Sequence, residues 1–291
     1  MSGFPFFIAE VSSNHARDLS RCKAFIDAAA DMGCDAVKLQ LFRIEELFSK
    51  EILDRSKEHR SRKDWELPVE FLPELARQCE DASIQFSCTP FYLEAVRELT
   101  PFVDFFKIAS YELRWDALIQ ACAASGKPLV LSTGMATLDE IQQAVTVFQS
   151  AGGTDLTLLH CVSGYPVPID SCNLAAIDTI RQATGLPVGW SDHSRNPDVV
   201  DRAIDRFGAS VIEFHLDLDK KGAEYKTGHC WLPGEMAPLI KKHHEMAIAD
   251  GDGQKEPTPA EIEDRPWRAD PSDGLRPTLK VREKWLTKPL Q

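Results

Sequence analysis

The chain has 291 residues, 43% of them hydrophobic, and a formal net charge of −12. This hydrophobic content supports a sizeable core and excludes global disorder, and the negative charge argues against nucleic acid or an anionic membrane as a partner. No apolar run approaches the ~18 residues needed to span a bilayer, and the opening MSGFPFFIAE lacks the basic segment of a signal peptide. The eight cysteines are scattered without CxxC spacing, which predicts reduced thiols in a cytoplasmic protein.

Short strand-like runs alternate with helix-like stretches over most of the chain. The strand candidates are residues 4–11, 35–42, 83–91, 104–110, 127–134, 155–164, 186–194 and 209–219. Amphipathic runs lie between them, and the run over 137–152 opens with the capping-box pair Thr137 and Glu140. Six helical runs end in a glycine, at positions 33, 126, 152, 185, 208 and 251. A final helix is predicted over residues 234–250.

Eight strands, each followed by a helical run, predict an α/β fold of the (β/α)8 TIM-barrel type over residues 1–250. The strands are apolar on both faces, as parallel strands covered by helices must be. A doubly wound open sheet is the alternative, but it usually has fewer strands. Residues 43–66 form a charged insertion on the face where barrel active sites lie. Residues 251–291 hold six of the 18 prolines and predict an extended Pro-rich C-terminal tail.

Polar residues collect where the predicted strands run into the loops that follow them. They are Glu10, Lys38, Gln40, Thr89, Lys107, Ser110, Glu112, Ser132, Thr133, Ser163, Tyr165, Ser191, Asp192, His193 and His215. In a TIM barrel these positions share the C-terminal face, which carries the active site. Because every strand contributes, the ring as a whole predicts an active site at that face.

Lys38 and Lys107 stand in runs that otherwise have the pattern of buried strands. Burying an ammonium group without a partner costs several kcal/mol. Three interpretations are open: an ion pair with a nearby carboxylate, a site for a ligand that carries phosphate and carboxylate groups, or a Schiff-base lysine made nucleophilic by desolvation. Two lysines among several Ser and Thr hydroxyls favour the anionic ligand.

His193 and His215 end two adjacent predicted strands, about 4.8 Å apart in the hydrogen-bonding direction. Their imidazoles can therefore ligate one metal ion and leave positions open for substrate and water. Glu10, at the end of the first strand, is either a general acid/base or the ion-pair partner of Lys38. His160 is predicted to be a core residue, and His243 and His244 are predicted to lie on a helix surface.

Eight ordered motifs resemble those of the sialic acid synthase family: IAEVSSNH, DAVKLQLF, SCTPF, FKIASYEL, LSTGM, LLHCVSGYPVP, GWSDHS and VIEFH. The likeness runs over roughly residues 5–240. It implies a transferase, similar to N-acetylneuraminate synthase, that condenses phosphoenolpyruvate with an N-acylamino sugar or a related aldose. The product would be a nonulosonic acid, with phosphate released. The resemblance also implies a homodimer.

The resemblance implies a role for each matching residue. Glu10, Lys38 and Lys107 are the implied catalytic residues, with Glu10 near the attacking water and the reacting oxygen of the sugar. The implied cradle for phosphoenolpyruvate consists of Lys38, Thr89, Lys107, Ser110, Ser132 and Ser191. His193 and His215 match the two ligands of a divalent metal ion, Mn²⁺ or Mg²⁺. The implied sugar side consists of Gln40, Glu112, Tyr165 and Glu224.

Several features depart from the family pattern on the acceptor side. The small C-terminal antifreeze-like domain is expected to be lacking, with Arg276 or Arg282 as a candidate replacement for its arginine. Ala16-Arg17 stands where Asn-Gly is usual, and the insertion over 43–66 lacks the expected sugar-contacting asparagine.

The stretch KTGHCWLP also adds His229 and Cys230 near the predicted site. The half of the site for phosphoenolpyruvate thus matches the family and the acceptor half differs, so the acceptor sugar stays open. A Schiff-base aldolase and a non-catalytic sugar-phosphate-binding barrel are the alternatives.

Overall fold

Eight parallel strands close into one barrel in the computed structural model, which describes residues 4–287 apart from the side chain of residue 247. The strands are β1 (Phe6–Glu10), β2 (Ala36–Leu41), β3 (Gln85–Pro90), β4 (Phe105–Ile108), β5 (Leu129–Ser132), β6 (Leu156–His160), β7 (Val188–Asp192) and β8 (Val211–His215). Each strand pairs in parallel with its neighbours in sequence, and β8 pairs with β1. The prediction of a (β/α)8 TIM barrel is confirmed.

Helices follow the strands and cover the barrel. They are α1 (Leu19–Met32), α2 (Ile44–Leu47), α3 (Lys50–Arg55), α4 (Lys57–Ser61), α5 (Leu72–Asp81), α6 (Leu93–Leu99), α7 (Asp116–Ala124), α8 (Leu138–Ser150), α9 (Ala176–Thr184), α10 (Pro197–Asp205), α11 (Pro233–Asp250) and α12 (Leu279–Leu286). The predicted capping box of α8 forms between Thr137 and Glu140. Gly33 ends α1 with a φ of 85°, a conformation that a residue with a Cβ rarely adopts. In the described part of the chain, no helix has the length and apolar character needed to cross a membrane.

The barrel interior has an apolar floor below a polar layer. The floor contains Ile8, Ala36, Phe105, Val130, Leu159 and Val211. Because side chains alternate along a strand, the residues two positions further on also point inward. These include Glu10, Lys38 and Lys107. The inward orientation of these charged side chains therefore follows from their spacing of two residues from the floor residues. The outer strand faces pack with the helices in the main core.

The insertion over residues 43–66 is helical. It contains α2, α3 and α4 and ends in a 3₁₀ turn over Arg62–Trp65. The Ile44 N–H donates to Glu66 Oε1 at 2.8 Å, which ties the start of the insertion to its end. An exposed pair between Lys63 and Glu45, at 2.7 Å, adds little stability because both groups are solvated.

The chain divides into two compact units between residues 247 and 248. The second unit contains the 3₁₀ turns Pro259–Glu261 and Arg265–Trp267 and the helix α12. Within it, Arg282 Nη2 lies 2.7 Å from Asp273 Oδ1, and the Asp270 N–H donates to Leu275 O at 2.9 Å. The predicted boundary at residues 250 and 251 falls within this second unit.

One sequence prediction about the helices is wrong. His243 is buried in α11, and its Nε2 lies 2.8 Å from Asp201 Oδ1 of α10. Its partner is distant in sequence, which is why the pattern of α11 alone predicts a surface position. His244 is partly buried beside Phe7, with ring centroids 6.2 Å apart. His160 is a core residue as predicted, with Nε2 3.0 Å from the backbone oxygen of Cys172.

Candidate active site

A cavity of about 660 Å³ opens at the carboxyl ends of the strands. Twelve of the residues predicted for the site line it: Glu10, Lys38, Gln40, Lys107, Ser110, Glu112, Ser132, Tyr165, Ser191, His193, His215 and Glu224. Thr89 does not line the cavity; it is buried behind Lys38 and accepts a hydrogen bond from Lys38 Nζ at 3.1 Å. The sequence therefore predicted a set of side chains that the fold brings together.

Lys38 is compensated by two buried carboxylates. Its Nζ forms an ion pair with Glu10 Oε2 and lies 3.8 Å from Glu213 Oε2. Burial by itself lowers the pKa of Lys38, but the two carboxylates together raise it above its ordinary value. Gln40 Nε2 donates to Glu10 Oε1 at 2.8 Å, so the Glu10 carboxylate is held on both oxygens. The ion-pair interpretation of Lys38 therefore applies to the protein without a ligand.

Lys107 has a weaker set of partners. Its Nζ donates to the backbone oxygen of Ile108 at 3.1 Å and lies 3.6 Å from Glu213 Oε1. Burial lowers the pKa of Lys107, and Glu213 offsets only part of this effect. The ammonium is thus less firmly held than that of Lys38, which suits a group that receives an incoming anion.

Glu213 is a central residue that the sequence interpretation missed. It is 3% exposed, faces both lysines, and accepts a hydrogen bond from Ser191 Oγ at 2.9 Å. Among the described residues, its Oε2 is one of the few buried oxygens without a hydrogen-bond partner. Lys107 and Lys38 lower the pKa of Glu213 despite its burial. The motif VIEFH does indicate the inward position of Glu213. Residues two apart in a strand share a face, and Glu213 precedes His215 by two positions.

A group of small polar side chains forms the wall beside Lys107. The Gly134 N–H donates to Ser110 Oγ at 3.0 Å, and Ser110 Oγ lies 3.1 Å from Cys161 Sγ. A Cβ on Gly134 would lie 2.6 Å from Ser163 Oγ and 2.9 Å from Ser110 Oγ. Only glycine fits there without displacing these hydroxyls. Among the described residues, Ser163 Oγ is one of the few buried side-chain oxygens without a hydrogen-bond partner.

Glu112 ends the 3₁₀ turn that Ser110 begins. Burial raises the pKa of Glu112 to about 7, and the charge of Lys107 opposes this shift. Its Oε2 is another of the buried oxygens without a hydrogen-bond partner in the part of the chain that the structure describes. This carboxyl group can therefore change its charge near neutral pH.

The two predicted metal-binding histidines lie next to each other, with ring centroids 5.3 Å apart. His193 Nδ1 lies 2.8 Å from the Val162 oxygen, and His215 Nδ1 lies 3.0 Å from Glu224 Oε2. Burial lowers the pKa of His193 to about 3, and the neighbouring His215 adds to this effect. Glu224 raises the pKa of His215 above its ordinary value in spite of burial.

His229 and Cys230 join this group. His215, Glu224, His229 and Cys230 offer ligand atoms that lie within 4.8 Å of one another. The sequence pattern places His229 and Cys230 near the site and indicates no role for them. Tyr165 packs its ring on His193, with centroids 4.3 Å apart.

The insertion supplies the rim of the cavity. Phe48, His59, Arg62 and Trp65 all line it. The Arg62 guanidinium lies 5.5 Å from the ring centroids of both Phe48 and Trp65. The sequence predicts the insertion on this face but not these four residues, because helical structure within the insertion decides which side chains turn inward.

The sequence model described as the NeuB family matches residues 25–255 of the chain. The chain belongs to the NeuB family. It is 34% identical over 269 residues to N,N'-diacetyllegionaminic acid synthase of Campylobacter jejuni, a match that covers 87% of this chain and 80% of that relative. It is 28% identical to human N-acetylneuraminate-9-phosphate synthase, covering 88% of this chain and 74% of that relative.

A solved structure is also similar over almost the whole length of both chains. It is N-acetylneuraminic acid (sialic acid) synthetase from Leptospira borgpetersenii serovar Hardjo-bovis in complex with citrate. The TM-score is 0.79 at 30% identity, covering 98% of this chain and 94% of that chain. The resemblance to the sialic acid synthase family is confirmed, as is the prediction that this NeuB-family chain is a carbon–carbon bond-forming synthase of the transferase class.

Proposed function

We propose that this protein condenses phosphoenolpyruvate with an N-acylamino sugar or a related aldose to give a nonulosonic acid and phosphate. The observation that carries the proposal is the pair of buried lysines, Lys38 and Lys107, facing one cavity in a NeuB-family barrel. The relatives are named as synthases of acids of this kind, which supports the reaction class. The acceptor itself stays open, as the insertion differs from the family pattern.

The phosphoenolpyruvate end of the proposed site lies around Lys107. In this proposal Lys38 and Lys107 supply positive charge, and Ser110 and Ser132 donate hydrogen bonds to phosphate and carboxylate oxygens. Ser191 donates to the ligand after releasing its hydrogen bond to Glu213. These groups are preorganised around the charge that develops during the reaction, and such preorganisation provides much of the rate enhancement of many enzymes. Thr89 contributes indirectly, because it fixes Lys38 from behind.

Charge balance constrains the proposed binding step. Glu10 and Glu213 already compensate Lys38 and Lys107. A ligand with three negative charges therefore needs additional positive charge, from a bound cation or from protons taken up by these groups. This requirement supports a metal-dependent reaction.

The histidines fit a divalent cation. When the Nδ1–H of His193 donates to the Val162 oxygen, its Nε2 presents a lone pair, and the same holds for His215 bonded to Glu224. In the proposal His193 and His215 hold the ion, Mn²⁺ or Mg²⁺ by family resemblance. When bound, the ion supplies a Lewis acid for the aldehyde oxygen of the acceptor.

The proposed reaction has three bond changes. C3 of phosphoenolpyruvate forms a bond to the aldehyde carbon, water adds at C2, and the C–O bond to phosphate breaks. Glu10, held by Lys38 and Gln40, is placed in this proposal beside the attacking water and accepts its proton. Gln40, Glu112, Tyr165 and Glu224 would contact the sugar.

The proposal extends to the domain organisation, the oligomeric state and the location of the protein. Residues 1–250 are the catalytic domain and residues 251–291 are an extension of it. The protein acts as a homodimer, which the family resemblance favours. It resides in the cytoplasm, which its eight free cysteines favour.

Two measurements test the reaction. Calorimetric titration of phosphoenolpyruvate in the presence of Mn²⁺ should show binding, and its absence would rule out the proposal. A panel of aldoses and N-acylamino sugars, scored by phosphate release, should then identify the acceptor. Lys107→Met should lower phosphate release at least a hundredfold, whereas the exposed Lys57→Met should leave it unchanged.

A Schiff-base aldolase is a second candidate, favoured by one observation. Burial lowers the pKa of Lys107, which is the condition for a nucleophilic amine. Borohydride reduction in the presence of pyruvate would trap a covalent adduct on Lys107 in an aldolase. A synthase should give no adduct.

A further inference from the structure

The segment after β8 places four metal-binding side chains side by side. His215, Glu224, His229 and Cys230 each offer one ligand atom, and the four atoms lie within 4.8 Å of one another. Imidazole nitrogen, carboxylate oxygen and thiolate sulfur form a donor set that suits borderline transition-metal ions. The family resemblance accounts only for His215 among these as a metal ligand.

The backbone holds these donors against the end of β8. Trp231 and Leu216 form a parallel bridge, and the Trp231 N–H donates to the His215 oxygen at 2.7 Å. His229 and Cys230 immediately precede this bridge. Their positions next to His215 are therefore fixed by main-chain hydrogen bonds, which is how precise ligand sites are preorganised.

The hydrogen bonds of His229 leave its metal-binding nitrogen free. The Thr227 hydroxyl donates its one proton to the Glu224 backbone oxygen at 2.5 Å, so it accepts from Nδ1–H of His229 at 2.6 Å. Nε2 then carries the lone pair, 3.6 Å from Glu224 Oε2 and 3.9 Å from Cys230 Sγ. A hydrogen bond that fixes the other ring nitrogen is usual for a ligating histidine.

A buried amide orients the other two donors. Asn14 Oδ1 accepts from the Glu224 N–H at 2.9 Å, and Asn14 Nδ2 lies 3.6 Å from Cys230 Sγ as a donor. A Cβ on Gly222 would lie 2.3 Å from Asn14 Oδ1, so glycine at this position is required for the arrangement. Asn14 thus orients both Glu224 and Cys230, as the outer-shell partners of metal ligands do.

We infer that Glu224, His229 and Cys230 join His193 and His215 as ligands of the cation, and that this cation belongs to the class of Fe²⁺, Co²⁺ and Zn²⁺ rather than being Mg²⁺. This inference rests on the proposed function for one point, which is that the cation lies in the acceptor half of the cavity. Ligation replaces the S–H proton of Cys230, which leaves to the solvent. Mg²⁺ prefers oxygen ligands, and this cluster offers it one carboxylate.

Co²⁺ titration of the full chain after chelator treatment tests the inference without any measurement of activity. Wild-type protein should bind Co²⁺ with a thiolate-to-cobalt charge-transfer band in the near ultraviolet. Cys230→Ser should lose the band and bind at least tenfold more weakly. Cys122→Ser is the matched control, since Cys122 is equally buried in α7, away from the cluster. His229→Gln should keep the band and also weaken binding at least tenfold.

The results separate this inference from the proposed function. Three results would overturn the inference: Co²⁺ binding without a sulfur band, no Co²⁺ binding, or equal affinity for Co²⁺ and Mg²⁺. None of them contradicts the proposed function, which phosphate release tests separately. A sulfur band in a protein that releases no phosphate would support the site and contradict the synthase. If Cys230→Ser does not fold, as judged by circular dichroism, the wild-type band and His229→Gln decide.

Discussion

Lys107 Nζ lies 3.6 Å from Glu213 Oε1, and both side chains are almost fully buried. This pair explains how a strand tolerates an ammonium group before any ligand arrives. Glu213 also approaches Lys38, so one carboxylate is shared between two lysines. Lys38 also pairs with Glu10, so this sharing leaves Lys107 the less compensated of the two lysines, which is the electrostatic condition for an anion site.

Glu213→Gln should strongly destabilise the protein without ligand. It removes the carboxylate that the buried Lys38 and Lys107 share, and breaking a buried ion pair costs about 3–5 kcal/mol. Phosphoenolpyruvate should recover much of this loss, because its charges replace the missing carboxylate. Thermal melting with and without the ligand measures both effects. The control is Glu74→Gln, which removes one partner of a solvated surface ion pair and should leave the free energy of unfolding almost unchanged. Equal losses of stability in both variants would contradict the role of Glu213 as the shared counter-ion.

Glu112 should make stability depend on pH near neutrality. Its pKa is raised from 4.5 to about 7 by burial, so the folded state retains a proton that the unfolded state has lost. Stability contributed by this group is thus present at low pH and is lost as pH rises from about 4.5 to about 7, by an amount on the order of 3 kcal/mol.

Glu112→Gln should remove this pH dependence. At pH 8 the variant should have a higher free energy of unfolding than wild type, and at pH 4.5 the two should agree. Urea unfolding across this range makes the comparison. The exposed Glu70→Gln controls for the loss of one negative charge. A parallel pH profile for wild type and Glu112→Gln would show that Glu112 is not the responsible group.

Gly134→Ala should weaken the binding of phosphoenolpyruvate at least tenfold, which corresponds to about 1.4 kcal/mol. The added methyl group would push Ser110 and Ser163 out of position. Gly234→Ala is the matched control, because a Cβ there has no heavy atom within 4 Å. Calorimetric titration of both variants gives the comparison, and unchanged affinity in Gly134→Ala would remove Ser110 from the binding site.

Arg62→Ala should raise KM for the acceptor about tenfold and leave KM for phosphoenolpyruvate unchanged. Arg62 lies on the rim between Phe48 and Trp65, away from the two lysines in the barrel interior. Its loss removes a cation from the rim and also removes the cation–π contacts with both rings, each of which contributes about 0.5–2 kcal/mol. The exposed Arg55→Ala should change neither constant. Equal effects on both substrates would place Arg62 in a purely structural role.

The sequence was sufficient for the barrel because its signals are local. Each strand run, the Thr137 capping box and the helix-ending Gly33 depend on near neighbours, and all appear in the structure. Strand register then fixes which polar residues share the interior. The positions at the strand ends among the twelve cavity-lining residues follow from that register, whereas Glu224 is implied only by the family resemblance.

The missed features depend on partners distant in sequence. His243 is buried because Asp201, 42 positions away, packs against it. Glu213 could have been found by strand periodicity, but its two lysine partners come from β2 and β4. The orientation of His229 depends on a turn at Tyr225–Thr227, which residue patterns did not predict.

The helical insertion over residues 43–66 has a consequence for how this enzyme can change. It borders the cavity with its own side chains, while the buried charged groups at the base belong to strands whose opposite faces build the main core. We therefore expect substitutions in the insertion to alter which sugar fits without disturbing the scaffold. Exchanging this segment between family members is a direct route to synthases with new acceptors.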